Sequence, residues 1–262
     1  MNIAEYEKMY ELEDTYWWFQ GRKKMIQSIL KTYMKTDPRP GRVLDVGCGT
    51  GLILQTYKHW NPIGADFSPL ALQFCQSRGI TRTVRADVIH LPFEDNSLDL
   101  ILALDLIEHV DRDDLLIKEF NRVLKPGGYL MATVPAHPSL WSDHDIALHH
   151  FRRYTKASFG KLMRLGKLKP VKYTFGIFFL HPVVVVFRSI QKQWQRSTGL
   201  KDNRQAKTHL IALPLVFNRI LIELLRVEAF LLKYINFPTG TSLVALAQKP
   251  LSSPQKKRKK KA

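Results

Sequence analysis

Three glycines alternate with other residues in Gly47-Cys48-Gly49-Thr50-Gly51, directly after the apolar run Val43-Leu44-Asp45-Val46. Glycine lets a backbone approach a ligand closely and takes dihedrals that other residues avoid. A strand that ends in such a turn and opens a helix is a place for a nucleoside-bearing cofactor. Asp66 ends the next apolar run, roughly 20 residues further on, where a carboxylate can grip both hydroxyls of a ribose. The turn departs from the Gly-x-Gly-x-x-Gly spacing of a dinucleotide site, and Asp45 stands just before it. A carboxylate there repels a pyrophosphate but can anchor an ammonium group, directly or through water.

A second group of chemical side chains lies in PAHPSLWSDHDIALHHFRRYT (135–155). His144 beside Asp145 can act as an oriented base pair, or join His149 or His150 around a metal. The expectation for the chain as a whole is no bound metal. His149 is a further candidate for catalysis. Arg152 and Arg153 can hold an anionic group, since guanidinium forks match carboxylate and phosphate. Trp141 and Tyr154 are candidates for contact with the same molecule. The bland reading is that Asp145 pairs with an arginine to pin the loop, with the histidines on the surface. Near the N-terminus, Tyr16-Trp17-Trp18-Phe19 with Arg22 suggests a lid, and Trp18 and Arg22 are assigned to the substrate side. An ion pair or a helix start explains Glu108 and His109 as readily as catalysis does. Cys48 reads as a small turn residue rather than a nucleophile.

Elements of fixed type must carry these groups. Residues 2–35 read as helix, and Asp37 to Gly41 as a breaker. Strand-length apolar runs follow at 42–47, 62–67, 80–87, 98–105 and 128–135, with helical stretches at about 51–59, 68–78 and 111–123. LKPGG (124–128) reads as a helix stop and a turn. The alternation implies an α/β fold with a parallel sheet covered on both faces. Beyond it, 156–166 reads as helix, and 169–179 and 241–249 as strands.

The chain has 262 residues and is 45% hydrophobic, which excludes wholesale disorder. Two cysteines exclude a disulfide framework, and the polar N-terminus has no apolar signal core, so a cytoplasmic location is expected. The formal charge of +17 is uneven. Residues 1–150 carry sixteen Lys and Arg against twenty Asp and Glu, a net of −4, whereas 151–262 carry a net of +21. Two apolar basic segments, 180–197 and 210–235, sit in that second part, and SSPQKKRKKKA closes it as a disordered basic tail. The segment 213–235 carries Arg219, Glu223, Arg226, Glu228 and Lys233 and reads as amphipathic. Aliphatic helices with basic surroundings point to an anionic membrane surface, peripherally on its inner face, or else to a helical cap or dimer contact. Nucleic acid is disfavoured, because stacking aromatics are not interleaved with the charge.

The stretches LDVGCGTG (44–51), GADFSPLAL (64–72), ADVIHLPFEDNSLDLILALDLIEHV (86–110) and RVLKPGGYLMATVP (122–135) resemble class I S-adenosylmethionine-dependent methyltransferases, especially the type-11 and ubiquinone-biosynthesis-like groups. The resemblance implies S-adenosylmethionine as cofactor. It also implies a Rossmann-like seven-stranded, mostly parallel sheet with an antiparallel last strand, which 241–249 would supply. In site terms it implies that Gly47, Cys48, Gly49 and Gly51 face the methionine part, with Asp45 beneath. Asp66 would take the ribose, Phe67 the adenine face, and Asp87 with Val88 the adenine edge. Leu104, Asp105 and His109 would flank the sulfonium end. Three regions are expected: a helical lid over 1–36, a methyltransferase domain over 37–250 with a helical insertion at about 180–237, and the tail over 251–262. The expected activity is methylation, on oxygen, of a small-molecule or lipid-linked acceptor. A membrane adaptor keeping the scaffold, or an RNA methyltransferase, are the alternatives.

Overall fold

The computed structural model describes residues 3–34, 41–198 and 213–251, so the breaker at 37–40 and the basic tail beyond 251 lie outside the described residues. The single helix expected over 2–35 is two, α1 (Ile3–Leu12) and α2 (Trp17–Tyr33). The break is made by tertiary bonds. The Glu13 carboxylate is drawn away to the Thr50 hydroxyl, and Tyr16 turns extended ahead of α2. The chain then runs β1 (Val43–Val46), α3 (Leu52–Thr56), β2 (Ile63–Asp66), α4 (Pro69–Ser77), β3 (Thr83–Arg85), β4 (Leu98–Leu104), α5 (Asp113–Val123) and β5 (Leu124–Pro135). After these come α6 (Asp143–Ala147), α7 (Lys156–Leu165), β6 (Lys169–Gly176), α8 (His181–Thr198), α9 (Leu215–Leu231) and β7 (Ser242–Gln248).

The seven strands form one sheet in the order β3-β2-β1-β4-β5-β7-β6. β1 to β5 are mutually parallel, and β7 is inserted antiparallel between β5 and β6. The chain leaves β1 in one direction for β2 and β3 and returns on its other side at β4, which opens a crevice at the carboxyl ends of β1 and β4. Leu100, Ile101, Leu102 and Ala103 of β4 are all fully buried, as a central parallel strand without alternation must be. LKPGG differs from the expected turn. Pairing already begins at Leu124 against Leu98, and the ladder then slips so that Leu100 faces Tyr129.

α2 lies on α9, and the contact is close because Gly21 has no side chain. A Cβ there would stand 2.1 Å from Leu225 Cδ1. Asn218 accepts from the Trp17 backbone N–H at 2.9 Å and donates to the Thr15 carbonyl, while the Tyr33 hydroxyl reaches the Lys233 carbonyl. Further along α9, Glu228 is buried and its carboxylate accepts the backbone N–H groups of Ile177, Phe178 and Phe179. The outer faces of α8 and α9 are apolar and exposed, with Val183, Phe187 and Ile190 on one and Val216, Phe217 and Ile220 on the other. No helix among the described residues is long and apolar enough to cross a membrane.

Candidate active site

The glycine turn is held against the neighbouring strand. The N–H groups of Gly47 and Cys48 both donate to the Ala65 carbonyl, at 2.7 and 3.1 Å. Gly47, Gly49 and Gly51 have φ of 70°, 53° and 89°, in the left-handed region that a side chain would strain. Asp66 closes the turn from β2. One carboxylate oxygen accepts the Gly49 N–H at 3.0 Å and the other accepts the Ser68 N–H at 2.9 Å, so each keeps a lone pair for a further donor. Asp45 is only 3% exposed, and its Oδ2 has no hydrogen-bond partner. Burial pushes its pKa up to about 8 against the opposing pull of Arg22. A buried acceptor left without a donor beneath a glycine cradle fits an incoming ammonium group.

One cavity of about 1170 Å³ opens from this turn and runs along the crevice. Cys48, Phe67, Asp87, Val88, Leu104, Asp105 and His109 all line it. Phe67 is 66% exposed, with the Arg85 guanidinium over its ring. Asp87 turns one oxygen to the Ile89 N–H. Asp105 is already committed, accepting from Thr133 Oγ1 at 2.8 Å and from Arg22 at 2.5 Å. Cys48 is buried with its Sγ 3.9 Å from Cys75 Sγ, a packing position. Burial and the neighbouring His150 lower the pKa of His109 to about 4, which leaves it neutral.

The N-terminal segment roofs the cavity. Tyr6, Met9, Trp17, Trp18 and Arg22 line it. Glu13, between α1 and α2, is buried against Thr50 Oγ1 and the Arg78 guanidinium, both at 2.5 Å, and Arg78 also donates to the Thr50 carbonyl. This clamp on the glycine turn had no local signature, because Glu13 and Arg78 come from distant, otherwise unremarkable helix ends.

The far end of the cavity differs from the sequence reading. His144 lines it, and burial lowers its pKa to about 4, but it is not paired with Asp145. Asp145 is fully buried. It caps α6 through Ser142 and accepts from His150 Nδ1 at 2.9 Å and Arg153 Nε at 2.7 Å. Burial opposes its ionisation, but those two donors outweigh it and hold the carboxyl well below the usual range. Asp145 is thus the pin of the loop rather than a partner of the base. His149 is exposed with φ 57° and does not line the cavity, and His150 takes the inward position. Trp141 also lies off the lining. Arg152 is itself off the lining and bonds to Asp111, which lines the cavity, and to Asp113, and the Tyr154 hydroxyl is buried on Asp113. Trp18, Arg22 and Arg153 do reach the cavity. Two further charged groups reach the lining, one weighed in the sequence only as an ion pair or helix start against catalysis and one not read there at all. Glu108 sits fully buried after β4, and Arg188 comes in from α8.

A doubly wound sheet with a glycine turn, an acid after β2 and an unpartnered acid beneath the turn define a Rossmann-like methyltransferase site. The methyltransferase-domain family profile matches residues 44–132. A ubiquinone biosynthesis O-methyltransferase from Chelativorans sp. is 26% identical over 199 residues, covering 70% of this chain and 79% of that protein. An uncharacterised protein of Methanocaldococcus jannaschii is 30% identical over 158 residues, 58% of this chain and 68% of that one. The Mus musculus protein named "Probable tRNA methyltransferase 9B" is 37% identical over 102 residues, 37% of this chain, and the chain spans only 23% of that relative's length. Among solved structures, an S-adenosylmethionine-dependent methyltransferase from Archaeoglobus fulgidus superposes with a TM-score of 0.54 at 19% identity, over 87% of this chain and 94% of that one. The chain belongs to the class I S-adenosylmethionine-dependent methyltransferases, and S-adenosylmethionine is its cofactor.

Proposed function

We propose that the chain methylates an oxygen of a hydrophobic, membrane-borne acceptor that carries an anionic group. The observation that carries this reading is the double role of α8. Its inner residues Val184 and Arg188 line the cavity, while its outer residues Val183, Val186 and Phe187 are exposed and apolar. A wall shared between cavity and surface lets an acceptor pass from an anionic lipid layer to the site, with the exposed Arg219 and Arg226 of α9 facing the lipid charge. The O-methyltransferase relative supports oxygen as the accepting atom.

A sulfonium bound here would supply an activated methyl group to the acceptor oxygen and leave as a neutral thioether. Asp45 would hold the ammonium and Asp66 the ribose hydroxyls. Phe67 would cover the adenine, with Asp87 and Val88 at its edge. Trp18 and the rest of the roof exclude water. Arg188 meets the anionic group of the acceptor, and the aligned approach of oxygen to methyl is the main source of rate. A hydroxyl acceptor gives its proton to His144, which stands neutral at the cavity wall.

Asp45 adds a pH signature. An aspartate titrates at about 3.9 in an unfolded chain, and here burial raises it to about 8. Its contribution to stability is complete below the unfolded value and is lost as pH rises through the folded one. An ammonium group needs the carboxylate, so cofactor binding at pH 7 expels a proton. Calorimetry in buffers of different ionisation enthalpy is expected to show that release, shrinking above pH 8 and absent in Asp45→Asn.

The test of function is methyl transfer from labelled cofactor to acceptors in anionic vesicles, with a lipid extract and bulk RNA assayed in parallel. Label in a lipid-extractable methyl ester or ether supports the proposal. Label confined to RNA, or to a water-soluble amine, overturns it.

A further inference from the structure

Glu108 is 0% exposed, and neither carboxylate oxygen has a hydrogen-bond partner. A buried carboxylate without a partner is costly. Protonation does not cure this, because the resulting O–H itself needs an acceptor. The two guanidiniums that act on it electrostatically are spoken for, Arg22 by Asp105 and Arg153 by Asp145. What it does have beside it are two imidazoles. One ligand atom from each of Glu108, His109 and His150 lies within 4.8 Å of the other two. The two rings stand edge to face with centroids 4.6 Å apart. His150 gives its Nδ1 to the buried carboxylate of Asp145, which leaves Nε2 as its free ligand atom. A carboxylate that orients a histidine from behind is the usual support of a metal ligand. All three residues line the cavity at the end where His144 and Arg153 stand.

We propose that Glu108, His109 and His150 form a binding site for a divalent transition-metal cation, with Asp145 as the positioning residue behind His150. Two imidazole nitrogens and one carboxylate oxygen suit zinc, manganese, iron or cobalt rather than calcium or magnesium. Metal–ligand bonds of about 2.0–2.2 Å set neighbouring ligand atoms roughly 3–3.5 Å apart, so the three groups draw together as the ion enters. The remaining positions of the ion open into the cavity. Only the identity of what fills them, an oxygen of the acceptor, rests on the proposed function; the site itself does not.

Cobalt titration of the chelator-stripped full chain, without cofactor or acceptor, reads the site directly. One equivalent with visible d–d absorption is expected. Glu108→Gln and His109→Gln are each expected to weaken cobalt binding about 100-fold or more, and Asp145→Asn by roughly 10- to 100-fold. His149→Gln, at an exposed neighbour, leaves it unchanged. S-adenosylmethionine binding by each variant reports that the fold survives, and it is read independently of any methyl transfer. The proposal is overturned if a chain that binds S-adenosylmethionine takes up no cobalt, or if Glu108→Gln and His109→Gln bind it as the wild type does.

Discussion

Asp66→Ala is expected to weaken S-adenosylmethionine binding by about 10²- to 10⁴-fold, the loss of two hydrogen bonds to a charged group at about 1.5–3 kcal/mol each. The carboxylate has two duties, and the substitution ends both. It presents the lone pairs assigned to the ribose, and it holds the Gly49 and Ser68 N–H groups that shape the turn. Asp66→Asn separates them, since an amide oxygen keeps one turn bond while one acceptor becomes a donor. A smaller loss, of roughly tenfold, is expected for it. Calorimetry on both variants, with thermal melts beside it, decides the matter. Unchanged affinity in a folded Asp66→Ala protein would remove the ribose from this residue.

Glu228→Ala has the largest expected effect on stability. It strips the acceptor from three consecutive N–H groups at Ile177, Phe178 and Phe179, inside a segment that joins β6 to α8. Three donors left without an acceptor, one buried and two partly buried, together with the space vacated, cost about 3–5 kcal/mol. At roughly 2–4 °C per kcal/mol the melting temperature falls by about 10 °C. Glu228→Gln keeps one acceptor and loses less. A shift under about 2 °C for the alanine variant would show that solvent reaches these groups.

The features that were legible in the sequence are local ones. Gly47, Gly49, Gly51 and Asp66 announce a cofactor turn because the backbone demand and the chemistry both lie within a few residues. β4 was legible because a strand buried on both faces must be apolar throughout. The acceptor end was only partly legible. His144 and Asp145 are adjacent in sequence, yet α6 turns them apart and hands the carboxylate to His150 and Arg153. Arg188 was unreadable as a site residue because only the packing of α8 brings it to the cavity. Glu108 stood out beside His109 but its role did not, since its isolation is defined by what does not surround it. The break before α2 was hidden for the same reason: it answers Thr50 and Arg78, not its own neighbours.

The clamp at Glu13 has a mechanical meaning. The segment that grips Thr50 continues into α2, and α2 is fastened to α9 by both arms of Asn218 and by the Gly21–Leu225 contact. The segment that covers the cavity is therefore fastened to a helix whose opposite side is the exposed apolar face. A load placed on that outer face is thus carried through α9 and α2 to the residues that cover the cavity.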